Sequence, residues 1–154
     1  MSTDKPVKIL FRFHSNILDE ITVETLWADV IDEKLGYYKL DNIPFYAPLI
    51  ALGDIVHAEY DESEGMLTYR STIEYSGNST IHVIIMDDGY DINAIRKVFE
   101  DMGCLSERMK NRYFAMEVPF NVDYLPIKQK LMKMAGEEII DFAETSLSDN
   151  HYHE

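Results

Sequence analysis

The spacing of hydrophobic residues changes once along this chain, and that change restricts the fold more than any other feature. Up to residue 86, apolar residues come in short alternating runs separated by Gly, Pro, Asn and Asp, which is typical of β-strands. From Ile92 through Ile95 to Phe99, apolar residues recur at helical spacing. We therefore predict an α+β protein with a small, curved antiparallel β-barrel or sheet, followed by a split βαβ (ferredoxin-like) layer.

The individual elements follow from the same pattern and from capping residues. Asp91 and Asp123 are suited to cap two helices, which Gly103 and Gly136 would end. Trp27, as the only tryptophan, is expected to anchor a core. Residues 138–147 are interpreted as a closing strand, although a continuation of the second helix stays open. The other predicted strands are residues 7–13, 21–31, 37–40, 54–60, 66–75, 80–86 and 112–120.

The length of 154 residues corresponds to one domain, which we expect to span residues 1–154. The strand-rich half would be residues 1–78, and residues 79–147 would form the β-α-β-α-β half. The seam near residue 78 has no linker, so both halves are expected to fold together. The polar tail, residues 148–154, is expected to be frayed.

One loop is unusually apolar. Residues 44–53 read PFYAPLIALG, and Pro44 and Pro48 have no backbone N–H to donate to a central strand. The run is also too apolar for a solvated loop. We expect this loop to lie across the open end of the barrel.

The net charge of −14 comes from 28 acids and 14 bases. Between Leu40 and Ile95 there are ten acids and one base, Arg70. Such a surface repels nucleic acid and attracts a basic protein. We therefore predict a binding surface that combines carboxylates with tyrosines, whose rings suit protein contacts. Its expected members are Asp41, Tyr46, Asp54, Glu59, Tyr60, Asp61, Glu62, Glu64, Asp87, Asp88 and Asp91.

Signals for catalysis are weak. His57 and Glu59 lie two apart on a predicted strand and could form a working pair beneath the 44–53 loop, as in a ligand-binding or enzymatic barrel. An ordinary exposed strand face is the favoured interpretation. No phosphate-binding loop, nucleophile elbow or zinc-protease motif is present. We therefore expect no enzymatic activity and no cofactor.

Metal binding and thiol chemistry are also not expected. The acids at positions 87, 88 and 91 could hold a hard cation, but they lack the alternating oxygens of a calcium loop, and a capped turn is favoured. The one cysteine, Cys104, follows the carboxyl end of a predicted helix, which disfavours a thiolate. A single cysteine also fits a reducing compartment.

The chain carries no signal for export or membrane insertion. The first six residues are polar, and no apolar run approaches the roughly 18 residues of a membrane span. We therefore expect a cytoplasmic protein without a membrane partner.

Several short motifs resemble a bacterial family. The runs YKLDNIPFYA from Tyr38 and ALGDIV from Ala51, with VETLWA before them and SGNST after them, resemble the signature of domain of unknown function 4265. The resemblance covers residues 9–85 and implies a fold, but no activity or catalytic residues. Small acidic bacterial proteins of this kind are often immunity proteins against basic toxin domains. By that analogy we expect an inhibitor of a cationic, possibly nuclease, toxin.

Overall fold

The computed structural model describes residues 5–15 and 18–152, and the chain divides into two compact units, Met1–Ser76 and Gly77–Glu154. The predicted α+β class is confirmed. That both units fold as one domain stays a prediction. Unit 1 contains β1 (Val7–Ser15), β2 (Glu20–Asp32), β3 (Tyr37–Leu40), β4 (Ile55–Asp61) and β5 (Met66–Glu74). Unit 2 contains β6 (Ser79–Ile85), α1 (Ile92–Glu100), β7 (Leu105–Lys110), β8 (Tyr113–Val118), α2 (Leu125–Gly136) and β9 (Ile140–Ser146).

The five strands of unit 1 form one strongly curled sheet. Each strand pairs antiparallel with the next along the chain, from β1 to β5. β1 also meets β5 through a single parallel pair, Leu10 with Thr68. The sheet therefore returns on itself at one point, which matches the predicted small curved barrel or sheet.

Side chains fill the inside of this sheet. Ile9, Phe11 and Val56 are buried there, and the 44–53 loop adds Ala47 and Ile50 to the same core. The loop therefore packs against the core of the sheet, and its position across the open end stays a prediction. The prediction for Trp27 is wrong, because its neighbours in β2 point inward and strand alternation turns Trp27 outward. Its ring is 45% exposed, and Lys8 Nζ lies 4.9 Å from the ring centroid.

Unit 2 is a four-stranded sheet in the order β7-β8-β6-β9 with antiparallel neighbours throughout. Apolar residues of α1 and α2 share one core with Ile81, Val83 and Phe114 from one face of the sheet. This is the predicted split βαβ layer. The predicted β-α-β-α-β order lacked β7, an edge strand with no buried residue and hence no alternating pattern to detect.

The two helices begin and end close to their predicted limits. Asp91 is the N-cap of α1, and its Oδ2 accepts a hydrogen bond from Ala94 N at 3.2 Å. Gly103 follows α1 with φ 104°, a conformation that glycine adopts without strain. Asp123 is not the N-cap of α2; Tyr124 holds that position, and Asp123 accepts from Leu125 N. β9 confirms the strand interpretation of the last element.

The expectation of a frayed tail is wrong for residues 148–152. A short 3-10 helix, Asp149–His151, places His151 in the interior of unit 2 with 1% exposure. Its Nδ1 lies 2.6 Å from Ser79 Oγ, and its Nε2 lies 2.9 Å from the carbonyl oxygen of Pro119. Nε2 must carry the proton to donate to that carbonyl, so Ser79 donates to Nδ1. Residues 153 and 154 lie outside the described residues.

Candidate functional site

Acids of unit 1 are concentrated in residues 59–64, which comprise the end of β4 and the start of the turn to β5, and we call this segment the acidic hairpin. Arg70 lies 3.5 Å from a Glu59 oxygen and 3.0 Å from an Asp61 oxygen. Arg12 contacts Glu64 at 2.6 Å, while Glu62 is exposed. The four carboxylates therefore exceed the two arginines by two negative charges. The predicted surface is thus partly neutralised by ion pairs within the unit.

Asp61 also organises the turn itself. Its Oδ1 accepts from Ser63 N at 2.9 Å and from Glu64 N at 3.2 Å. The hydrogen bond from Arg70, together with these backbone donors, lowers the pKa of Asp61. The Asp61 carboxylate is therefore charged at neutral pH, and its two backbone hydrogen bonds order the turn.

The carboxylates of Glu24 and Asp54 accept hydrogen bonds from the backbone of the 44–53 loop. Glu24 of β2 accepts from three successive backbone N–H groups, those of Phe45, Tyr46 and Ala47, at 2.7, 3.1 and 2.9 Å. Asp54 accepts from Ala51 N at 3.0 Å and from Ser76 N at 2.8 Å. These bonds and the fixed φ angles of the two prolines together order the loop.

Asp54 therefore cannot belong to an exposed partner surface, and that part of the prediction is corrected. Its side chain is buried, and its residue exposure is 1%. Burial raises the pKa of Asp54, although the two backbone donors act in the opposite direction. No local pattern indicated this role, because an aspartate after a glycine turn is usually solvated.

The other predicted residues of unit 1 differ in their exposure to solvent. Asp41 is exposed, and its backbone N donates to Trp27 O at 2.9 Å, next to the end of β3. Tyr60 is 64% exposed at the acidic hairpin. Tyr46 is only half-buried and belongs to the loop that Glu24 holds. Asp41 and Tyr60 thus remain accessible, and Tyr46 is partly so.

The backbone of Gly36 packs closely against Ala58 and the ring of His57. The His57 ring meets Tyr37 edge-on with centroids 6.1 Å apart. Gly36 packs beside it with φ 75°, and a Cβ there would lie 2.8 Å from Ala58 O, so only glycine fits. Glu59 pairs with Arg70 rather than with His57. The structure therefore does not bring the two residues of the alternative hypothesis into a hydrogen-bonded pair.

The predicted acids of unit 2 lie at one end of its sheet. Asp87 Oδ1 accepts from Gly89 N at 2.8 Å, Asp88 pairs with Arg112, and Asp91 caps α1. Met86 N and Asp87 N both donate to Ile139 O, at 2.8 and 3.3 Å. This pairing brings residues about 50 positions apart in the chain into contact.

Those contacts add two acids that the sequence analysis missed. Glu138 and Asp141 line an open groove of about 430 Å³ together with Met86, Ala135 and Ile140. We call Asp87, Asp88, Glu138 and Asp141 the acidic corner. The β6–β9 register, in which Ile84 faces Asp141 and Ile85 faces Ile140, creates it. Only the strand order could have revealed this, since nothing local in the sequence connects the two segments.

A second cluster is buried on the sheet of unit 2, on the face opposite the helices. Strand alternation places Glu117 there with Thr80, His82, Tyr113 and Ala115. Glu117 is 2% exposed, and in the described part of the chain its Oε1 has no hydrogen-bond partner. Burial raises the pKa of Glu117 to about 7, although the Asn78 side chain lowers it. The sequence hint was a single acid within the otherwise apolar run YFAMEV.

Cys104 is an unreactive thiol in this fold. Burial, and secondarily the charge of Glu117, raise the pKa of Cys104 to about 12. Its side chain belongs to the core of unit 2. The thiol is therefore protonated at neutral pH.

The described residues contain neither a cluster of metal ligands nor a membrane-spanning helix. Within residues 5–15 and 18–152, no three His, Cys, Asp or Glu side chains are grouped as metal ligands would be. Across the same ranges, no helix has the length and apolar character needed to cross a membrane.

The fold and these sites define a small acidic α+β protein made of a curled sheet and a ferredoxin-like layer. The chain belongs to the family described as a domain of unknown function, DUF4265, whose model matches residues 24–142. This confirms the resemblance over residues 24–85 and extends it to residue 142. The match begins at Glu24, which holds the 44–53 loop, and includes Asp54.

A solved structure shows the same fold. It is titled as a novel crystal structure of a hypothetical protein from Neisseria gonorrhoeae, and it superposes with a TM-score of 0.80 at 22% sequence identity. The similarity covers 96% of this chain and 99% of that chain. No curated protein matches the chain.

Proposed function

We propose that this chain is an acidic protein-binding inhibitor in the bacterial cytoplasm, an immunity protein that binds and blocks a cationic toxin domain. The acidic hairpin carries the proposal, because its carboxylates exceed its arginines even after every ion pair there is formed. Exposed carboxylates of this kind accelerate association with a basic surface. Tyr60 at 64% exposure supplies aromatic contact area beside them.

The corrected surface is smaller than the predicted one. Its accessible members in unit 1 are Asp41, Tyr60 and Glu62, with the paired Glu59 at the margin. Ion pairs with Arg70 and Arg12 are exposed and therefore weak, so a partner's cation can compete for the same carboxylates. The hydrogen bonds from Ser63 N and Glu64 N to Asp61 order the turn before a partner arrives, which reduces the backbone entropy lost on binding.

The alternative function, a ligand-binding or enzymatic barrel beneath the 44–53 loop, has less support. Ala47 and Ile50 of the loop pack into the core with Val56 and Ala58. Side chains therefore occupy the space that a ligand would need. Within residues 5–15 and 18–152, Glu59 pairs with Arg70 and no carboxylate pairs with His57, as a general base of this type would require.

Calorimetry with the purified product of the adjacent gene tests the proposal. We expect a one-to-one complex that suppresses the toxic activity of that protein. The double variant Asp41→Asn and Glu62→Gln should weaken binding, while Glu107→Gln, an exposed acid on β7 outside the acidic hairpin and the acidic corner, should not. No complex, or equal weakening by the control, would contradict the proposal.

A further inference from the structure

We propose that the outer face of β2 is the apolar centre of the partner interface, where it packs against an apolar patch on the same cationic protein that the acidic hairpin attracts. This inference rests on the proposed function and specifies where the partner's apolar contacts fall. Charged residues steer association, but a specific interface also buries an apolar centre inside a polar rim. The acidic hairpin supplies the rim, and Tyr60 is its one aromatic side chain.

Three exposed apolar side chains lie along the outer face of β2, and we call them the outer stripe. They are Ile21, Val23 and Trp27, which are 63%, 48% and 45% exposed. Leu26 and Ala28 point the other way, into the core of the sheet. An antiparallel strand with one solvated face normally carries polar residues there. The apolar residues on both faces of β2 therefore indicate that another molecule covers the outer one.

A row of basic residues in β1 borders the outer stripe. The antiparallel register places one of them opposite each member of the stripe, as Lys8–Trp27, Arg12–Val23 and His14–Ile21. A second copy of the chain packed on the stripe would bring two such rows together, and like charges in contact oppose that arrangement. The net charge of −14 opposes approach to an anionic membrane. Both properties favour a different protein as the occupant.

Arg12 connects the outer stripe to the acidic hairpin. Its Nη2 lies 2.6 Å from Glu64 Oε1, and residues opposite each other on neighbouring strands have Cβ atoms about 5 Å apart. Val23 therefore lies about one arginine side chain away from a carboxylate of the hairpin. A partner whose bases contact the hairpin thus also reaches the stripe. Lys8 takes part in no ion pair within residues 5–15 and 18–152, so we expect a carboxylate beside the partner's apolar patch.

A dye titration tests the chemistry of the stripe without a partner. The probe is anilinonaphthalene sulfonate, which joins apolar rings to an anionic group and so matches an apolar stripe bordered by bases. Trp27 is the only tryptophan, so energy transfer from tryptophan to the dye reports binding at the stripe. We expect saturable binding with energy transfer, and the absence of energy transfer would overturn the inference.

Variants that keep Trp27 as the reporter complete the test. Val23→Thr keeps a β-branched side chain, and Lys8→Gln keeps most of the aliphatic stem, so the strands are preserved. Together the two changes should weaken binding of the dye, and of the product of the adjacent gene, at least about fivefold. Ile73→Thr alters a residue of similar exposure, 46%, on β5 and should have no effect. Equal weakening by Ile73→Thr would overturn the inference.

Fluorine NMR of the chain labelled with fluorotryptophan separates this inference from the proposed function. The adjacent gene product should shift the single Trp27 signal as the complex forms. If that product binds and the signal stays in place, the inference is wrong while the proposed function stands. If the product does not bind at all, both fail. A signal that shifts with protein concentration alone, or on vesicles of phosphatidylcholine and phosphatidylserine, would assign the stripe to a second copy or to a membrane and would also overturn the inference.

Discussion

Replacing Glu117 with glutamine should change how the stability of the protein depends on pH. Burial raises the pKa of Glu117 from 4.5 to about 7 in the folded protein, whereas the unfolded chain keeps the ordinary value. At a pH between these two pKa values, Glu117 therefore takes up a proton when the protein folds. The stability due to the neutral side chain is fully present below pH 4.5 and is lost as the pH rises through 7.

The magnitude follows from the size of the shift. One pKa unit corresponds to about 1.4 kcal/mol, so the unaltered protein should lose on the order of 2.5 kcal/mol of stability between pH 5 and pH 8.5 from this group alone. Glutamine has no charge to lose and offers Asn78 a similar acceptor. The variant should match the unaltered protein at pH 5 and exceed it by about 2.5 kcal/mol at pH 8.5.

Urea unfolding at both pH values measures this directly. All other titrating groups are common to both proteins, so their contributions cancel in the difference. Glu107→Gln is the control, because Glu107 is exposed and faces Ala115 two positions from Glu117. If Glu117→Gln shows the same pH dependence as the unaltered protein, the argument from burial is refuted.

Three further predictions concern stability. His151→Ala removes two buried hydrogen bonds and should lower the free energy of unfolding in denaturant by about 2–3 kcal/mol. Tyr152→Ala, at an exposed position, should be nearly neutral. Equal losses in the two variants would contradict the buried position of His151. Glu24→Gln should speed hydrogen exchange at the amides of residues 45–47, because a neutral acceptor binds them less strongly, and unchanged exchange would refute the anchoring role. Leu49 has φ 64° and is 71% exposed, so Leu49→Gly should stabilise the protein by up to about 1 kcal/mol. A lower Tm of the variant would show that contacts of the leucine side chain stabilise the fold.

Local pattern predicted most of the secondary structure, because alternating and helical spacing reflect one buried face. β7 was not predicted because this edge strand has no buried residue, so its sequence shows no alternation of apolar and polar residues. Trp27 was misplaced because β2 carries apolar residues on both faces, so size alone suggested burial. His151 was misplaced because its partners, Ser79 and Pro119, are distant in the chain.

The candidate site was less predictable than the fold. Charge counting identified the acidic stretch, but it could not distinguish Asp54, which supports a loop, from Glu62, which faces solvent. It also missed Glu138 and Asp141, which join Asp87 only through the pairing of β6 with β9. Ion pairing and strand order are tertiary properties, and composition does not determine them.

The claim that exposed carboxylates guide a basic partner is tested most directly by the association rate at varied ionic strength. Stopped-flow mixing with the adjacent gene product should show an association rate constant that falls at least about tenfold from 50 to 500 mM salt, with a smaller fall for the Asp41→Asn and Glu62→Gln variant. An association rate that stays constant over this range, for a complex that does form, would contradict the electrostatic account.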